Sequence, residues 1–175
     1  MNLLIDTIQS EIGDILVVCD GESLCALDYG EYESRMTAFL AARYGDFRLE
    51  EADDPLGISS RIRAYLAGAL DALDDLPVDA GGTGFQRRVW SALRKIPMGT
   101  TVSYGGLAER LGKPTASRAV GMANSLNPVA IVVPCHRVIG ADGRLTGYAG
   151  GLERKRWLLE HEGIDLSELA GSRAA

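Results

Sequence analysis

The sequence predicts an α/β protein of two successive domains. A small N-terminal α/β domain over residues 1–82 carries a three-stranded antiparallel sheet plus helices, a mostly α-helical domain spans 83–163, and a tail runs over 164–175. Three observations predict this. Three short apolar or alternating segments follow one another near the N-terminus, the form of a small sheet. The stretch Asp79-Ala80-Gly81-Gly82-Thr83-Gly84 interrupts the periodic patterns on both sides of it. Beyond it, apolar residues recur mainly at helical spacing.

The three strands are expected at Leu3 to Ile8, Asp14 to Cys19 and Leu24 to Tyr29, the last two joined by a hairpin turn at Asp20-Gly21. Glu33 to Tyr44 then places Met36, Phe39, Leu40 and Tyr44 at helical spacing. Residues 58–73 form a clearer amphipathic helix, with Ile58, Ile62, Tyr65, Leu66, Ala69, Leu70 and Leu73 along one stripe. Pro77 to Gly84 is the linker, and the domain boundary is expected there.

After the linker, Thr83 with Gln86 three residues on is the pattern of a capping box, opening a helix that carries Phe85, Val89, Trp90, Leu93 and Ile96 on one face. Pro97-Met98-Gly99 ends it. Val102-Ser103 leads into a helix from Tyr104 to Leu111, broken at Gly112-Lys113-Pro114, and a second helix is expected from Thr115 to Ser125. Two short helices joined by a glycine-containing turn, at about 104–125, have the outline of a helix-turn-helix. Helix pairs of this kind also occur in cores that never touch DNA. An apolar run, Val129 to Val133, reads as a buried strand leading to Cys135. A glycine-rich polar loop from Gly140 to Gly151 and a last helix from Glu153 to Glu162 follow.

Composition bounds the function classes. No apolar run approaches the roughly 20 residues needed to span a bilayer, and the N-terminus lacks the basic start and apolar stretch of a secretory signal. A cytoplasmic protein is expected, nuclear if the source is eukaryotic. Three cysteines, Cys19, Cys25 and Cys135, leave at least one free thiol, and Cys19 and Cys25 sit in strand-like stretches that suit core positions. With only two histidines and no C-x-x-C or H-x-x-x-H pair, no metal site and no cofactor are expected. The net charge of −6 hides a division: residues 1–82 hold 17 acidic and 5 basic side chains, a balance of −12, whereas 83–163 hold 12 basic and 5 acidic, a balance of +7. A polyanion is expected to bind only the second half.

Pro134-Cys135-His136-Arg137-Val138 is where the chemistry concentrates. The thiolate is the nucleophilic form of cysteine, and it needs a base or a positive charge close by; His136 and Arg137 offer one of each. Pro134 biases the chain toward a bend that presents Cys135. Taken alone, the dipeptide is more readily read as a small buried hydrophobe.

The company it keeps decides the matter. Pro134 to Val138, Ser103-Tyr104, Ser117-Arg118-Ala119-Val120-Gly121, Asn127-Pro128, Gly147-Tyr148-Ala149-Gly150-Gly151 and Trp157 to Gly163 resemble, in order and spacing, the 6-O-alkylguanine-DNA alkyltransferases, also called methylated-DNA–protein-cysteine methyltransferases. The resemblance is close over residues 83–163 and loose over 1–82. It implies a ribonuclease H-like first domain and a winged-helix-like second one. It also implies direct-reversal repair of double-stranded DNA, reached through the minor groove: an alkylated guanine is flipped out, and its alkyl group passes irreversibly to Cys135 in a single turnover. Alkyl groups on the 4-oxygen of thymine are handled less well.

By the same resemblance, His136 and Glu162 pass the thiol proton away through a water, and Asn127 holds backbone around the site. Tyr104 donates a proton to the guanine ring nitrogen or rotates the adjacent phosphate. Arg118 fills the space left by the flipped base, with Ser103, Tyr104, Thr115, Ala119 and Gly121 also facing DNA. Tyr148, Pro134 and the backbone of Val138 and Ala149 line the base pocket. Some members carry serine where this chain has Ala149, which removes one side-chain contact to the base. No obligate protein partner is implied, and a monomer is expected.

Three other readings compete. A lesion-binding protein without repair activity lacks the reactive cysteine, which Cys135 speaks against. A cysteine hydrolase with a Cys135-His136 dyad pairs adjacent residues that an extended segment points to opposite sides. A purely structural DNA-binding module leaves Cys135, His136 and Glu162 without purpose.

Overall fold

The computed structural model describes residues 1–171. The α/β class holds, with a sheet-bearing part first and a helical part second. The described residues divide into two compact units, one of residues 1–82 together with 128–132, the other of 83–127 together with 133–171.

In the first unit, β1 (Asn2–Ile8), β2 (Ile15–Cys19) and β3 (Leu24–Tyr29) form the antiparallel sheet. The Asp20 carboxylate accepts hydrogen bonds from the backbone N–H groups of Glu22 and Ser23, and Gly21 takes a φ of 100°, so the turn residues do what their chemistry suggests. A fourth strand, β4 (Arg48–Glu51), adds to β1 in parallel, giving the order β3-β2-β1-β4. The sequence reading missed it because Arg48-Leu49-Glu50-Glu51 is an edge strand whose charged side chains hide the apolar pattern while protecting the edge. Helix α1 (Glu33–Tyr44) buries Met36 and Leu40 in a cluster with Leu3, Leu16, Val18, Cys25 and Ala26.

The helix expected over 58–73 is shorter. Helix α2 spans Ile58–Leu66 and buries Ile58, Ile62 and Tyr65, after which Gly68 takes a φ of 111° and the chain continues in turns. Arg61 Nε donates to the Ala72 carbonyl at 2.7 Å across the break.

The expected strand at 129–133 is also not a strand. Leu27 N–H donates to the Pro128 carbonyl and Ala130 N–H to the Leu27 carbonyl, so this segment touches β3 at a single bridge. It then folds tightly, with Val132 N–H bonded to the Ala130 carbonyl at 2.7 Å and Ile131 at a φ of 68°. Its apolar side chains reflect complete burial of a turn rather than membership of a sheet.

In the second unit, helix α3 (Gly84–Arg94) opens on a full capping box between Thr83 and Gln86 and buries Val89, Trp90 and Leu93. Strand β5 (Val102–Ser103) pairs in parallel with β6 (Val138–Ile139). Ser103 caps helix α4 (Tyr104–Arg110), its Oγ accepting from Gly106 N–H at 3.0 Å. Helix α5 runs Ser117–Ser125, so Thr115 lies in the preceding turn and not in the helix. Trp90 Nε1 donates to the Ala123 carbonyl at 2.8 Å, tying α3 to α5. Helix α6 (Leu152–His161) follows the glycine-rich loop, and a short α7 (Leu166–Gly171) occupies part of the expected tail. Among the described residues no helix is long and apolar enough to cross a membrane.

Candidate active site

Cys135 opens a single 3-10 turn, Cys135–Arg137, entered through Pro134 and held by a hydrogen bond from Cys135 N–H to the Val133 carbonyl at 2.8 Å. Tight turns precede it in the chain and β6 follows it. All three of its residues are buried.

Behind it stands Glu162, the residue that caps the C-terminus of α6. His136 Nε2 lies 2.8 Å from Glu162 Oε1, and both side chains are fully shielded from solvent. Arg137 grips the same carboxylate in a fork, Nε to Oε2 and Nη2 to Oε1, each at 2.9 Å. Its Nη1 donates to the Ile96 carbonyl at 2.8 Å and so closes the site against the end of α3. Burial alone would raise the Glu162 pKa, but the hydrogen bond from His136 and the hydrogen bonds and charge of Arg137 outweigh it and bring the value down to about 2. Burial pushes the His136 pKa down.

The consequence is a definite tautomer. Arg137 already neutralises the carboxylate, so a neutral imidazole donates from Nε2 to Glu162 and carries its lone pair on Nδ1. His136 Nδ1 is buried and has no hydrogen-bond partner in the protein. A lone pair held in this way is a proton acceptor.

Two asparagines fix the surrounding backbone. Asn127 Nδ2 donates to the Val133 carbonyl at 2.8 Å, and Asn124 Nδ2 reaches the Cys135 carbonyl at 3.5 Å, with its own Oδ1 buried and unpartnered. Tyr104 donates its hydroxyl to the Thr146 carbonyl at 3.1 Å, and its ring runs beneath Gly121, where an added Cβ would sit 3.6 Å from it. Burial raises the Tyr104 pKa against the lowering effect of that bond, so the phenol is protonated at neutral pH.

The loop that carries Tyr148 and Ala149 is fastened from below. Lys155 on α6 is fully buried, and its Nζ donates to the carbonyls of Val138, Thr146 and Gly147 at 2.6, 2.9 and 3.2 Å. Burial lowers its pKa to about 8, which leaves it charged at neutral pH with all three protons in use. Tyr148 and Ala149 are half-buried, whereas Val138 and Pro134 are buried beside the cysteine.

The structure therefore brings together Pro134, Cys135, His136, Val138, Glu162 and Asn127, and it ties Tyr104 to the Tyr148 loop through Thr146. Arg118, Ala119 and Thr115 are exposed, and Ser103 and Gly121 are half-buried. Arg137 as the partner of Glu162, Asn124 and Lys155 are additions that sequence reasoning did not supply. Lys155 lies three and four residues before Leu158 and Leu159, the buried leucines of α6, a spacing that marks it as facing inward, but a lysine on a helix is ordinarily read as solvated.

Burial raises Cys19 to about 12 and Cys25 to about 11, the latter against hydrogen bonding from Tyr44. Among the described residues no group of three or more His, Cys, Asp or Glu side chains is placed to hold a metal.

The chain matches two family models. Residues 3–80 match the ribonuclease-like domain of 6-O-methylguanine DNA methyltransferase, and residues 84–164 match its DNA binding domain. It is 50% identical over 166 residues to a methylated-DNA–protein-cysteine methyltransferase of Shigella flexneri, covering 93% of this chain and 97% of that one. A protein of the same name from Mycobacterium tuberculosis is 48% identical over 159 residues, covering 89% and 90%. Among solved structures, the M. tuberculosis O6-methylguanine methyltransferase superposes with a TM-score of 0.77 at 43% identity, covering 95% of this chain and 98% of that one. The M. tuberculosis OGT in complex with DNA gives 0.76 at 41%, covering 97% and 99%.

Proposed function

The chain belongs to the 6-O-methylguanine DNA methyltransferase family, and we propose that it repairs DNA by direct reversal, moving the alkyl group of a 6-O-alkylguanine irreversibly onto Cys135. The 4-oxygen of an alkylated thymine is a poorer substrate. Its action is that of a methylated-DNA–protein-cysteine methyltransferase, DNA-binding and spent after one turnover.

The observation that carries this reading is the buried relay behind Cys135: His136 bonded to Glu162 through Nε2 and unpartnered at Nδ1. Side chains of neighbouring residues in a 3-10 turn diverge by about 120°, so a water between Cys135 Sγ and His136 Nδ1 carries the thiol proton. The thiolate attacks the alkyl carbon, the new S–C bond forms as the C–O6 bond breaks, and the electron pair passes into the guanine ring. The ring nitrogen that lacked a proton in the alkylated base gains one, which the protonated Tyr104 hydroxyl is suited to give. The relay proton then restores the phenol. The product is a thioether, which has no leaving group that water can displace.

Base flipping supplies the access. Arg118 and Ala119 on the exposed face of α5 meet the duplex from its minor groove, with Thr115, Ser103 and Gly121 beside them. Arg118 occupies the position that the guanine leaves. Tyr148, Pro134, Val138 and the backbone of Ala149 form the pocket for the extruded base. The protein acts as a monomer in the cytoplasm, or the nucleus of a eukaryotic source, and needs neither metal nor cofactor.

Rates of transfer from a duplex bearing 6-O-methylguanine test the reading. Cys135→Ser is expected to abolish transfer and retain lesion binding. Transfer at the parent rate in that variant refutes the assignment of the acceptor.

A further inference from the structure

Helix α5 has two unlike faces. Val120, Ala123 and Asn124 are buried, the last against the Cys135 carbonyl. Arg118, Ala119, Met122 and Ser125 make up the exposed face. Positions three and four apart are neighbours on a helix surface, so Arg118, Ala119 and Met122 form one patch.

Met122 is the anomaly in that patch. It is 62% exposed, among the few large apolar side chains that the described residues turn to water. Its sulfur lies 3.9 Å from Ser125 Oγ, along the helix rather than folded onto the body of the unit. Covering such a side chain gains the transfer free energy that solvent exposure forfeits, and the fold itself does not cover it.

We propose that Met122 is a second DNA-contacting wedge, an apolar side chain that enters the minor groove one helical turn beyond Arg118 and packs on sugars and base edges beside the emptied position. This rests on the reading above that α5 faces the duplex. The chemistry fits the two residues to different tasks. Arg118 brings charge, which acts on phosphate and releases counterions. Met122 brings an unbranched, polarisable chain that follows an irregular surface, and apolar wedges of this kind help hold base steps apart. A duplex is favoured over a protein partner because the half of the chain that carries α5 has a balance of +7, and because one exposed methionine among polar and small neighbours is far below the area of a stable protein interface.

The test compares the parent with Met122→Ala, Met122→Leu and Met122→Gln. Equilibrium binding to a duplex bearing 6-O-methylguanine is measured across a range of salt, together with transfer rates at subsaturating duplex and with free 6-O-benzylguanine. Met122→Ala is expected to weaken duplex binding about fivefold, the share of one partly covered apolar side chain. The slope of log K against log salt should stay that of the parent, because no charge is lost. Met122→Leu should recover most of the loss and Met122→Gln should not. The ratio of duplex to free-base rates should fall in step with affinity.

Parent-like binding by Met122→Ala overturns the proposal while leaving the repair reading intact. So does an equal loss on duplex and free base, which would make Met122 part of the pocket, or a concentration-dependent self-association of the parent that Met122→Ala removes. If the parent itself transfers no methyl group to Cys135, the repair reading fails and this proposal fails with it.

Discussion

Glu162 is the residue on which the electrostatics of the site turn. It accepts from His136 and, in a fork, from Arg137, and this triple engagement keeps it ionised in a place where burial alone would protonate it. Removing the charge leaves Arg137 buried without a counter-ion, a change that typically costs about 3–5 kcal/mol. Glu162→Gln is therefore expected to lower thermal stability as well as the transfer rate, whereas His136→Ala should lower chiefly the rate. Thiol labelling of Cys135 against pH separates the two effects: if both variants label with the parent's pH profile, the relay is not what ionises the thiol. The pH dependence has a sign. The His136 pKa is lowered in the fold, so the relay accepts protons at neutral pH, and transfer should fall only below the ordinary histidine range near about 6.5. The Glu162 pKa is depressed to about 2, so its contribution to stability is complete above the unfolded carboxyl value of about 4.3 and is lost as pH falls from there toward 2. Acid unfolding that begins above pH 6 would contradict this. The sequence singles out Cys135, His136 and Glu162 as candidates by residue type and motif, and the structure pairs His136, in the turn that Cys135 opens, with Glu162. Arg137's grip on Glu162, Asn124 and Lys155 were not legible there, because their roles come from being buried, and sequence patterns place charged and amide side chains at the surface.

Among the elements, α5 and the glycine-rich loop are the two that the proposed reaction uses to bring substrate to Cys135. The loop owes its position to Lys155, whose three bonds to backbone carbonyls substitute for the regular pairing that the loop lacks. Lys155→Met keeps the length of the side chain and removes all three donors. It is expected to cut transfer from both duplex and free 6-O-benzylguanine at least tenfold: the buried Val138 carbonyl loses its lysine donor, at a cost of about 1–3 kcal/mol, and the loop is left with the Tyr104 bond to Thr146 in place of the Lys155 anchor. Unchanged rates on both would mean that the loop holds itself. Arg118→Ala should behave differently: duplex repair falls sharply, since the few kcal/mol spent on unstacking are no longer offset, while the reaction with the free base changes far less. Equal losses on the two substrates would move Arg118 from the duplex to the fold or the pocket. Most elements could be read from periodicity and caps, as Thr83 and Gln86 illustrate for α3. The failures are instructive. The apolar run at 129–133 is a buried turn with Ile131 at positive φ, and hydrophobicity reports burial without reporting backbone direction. In the 58–73 segment the apolar stripe continues past Gly68, but the backbone does not. Strand β4 was hidden by its charges.

For the molecule as a whole, the division of charge is the feature that composition shows best, and the chain's net −6 conceals it. DNA binding through the basic part should weaken as salt rises, each neutralised phosphate contributing about −0.9 to the slope of log K against log salt. Binding that is independent of salt between about 50 mM and 200 mM would mean that the protein neutralises no phosphates. The acidic first part cannot simply be cut away to test this. Residues 128–132 pack with it, bonded to Leu27 of β3, so deletion of 1–82 strips Val129, Ala130, Ile131 and Val132 of the unit that buries them. Such a truncation is expected to unfold or aggregate, and a soluble, cooperatively melting truncation would contradict that. The order of the two parts was legible, but the return of 128–132 to the first was not, because no local pattern records which sheet a buried turn will touch. In the proposed reaction Cys135 takes the alkyl group once and keeps it. Intact-protein and peptide mass analysis after incubation with an excess of duplex bearing 6-O-methylguanine tests this directly. One methyl group per protein molecule is expected, located on the peptide that holds Cys135, with one equivalent of lesion repaired and no more. Repair that continues beyond one equivalent, or a methyl group found on Cys19 or Cys25, would contradict it.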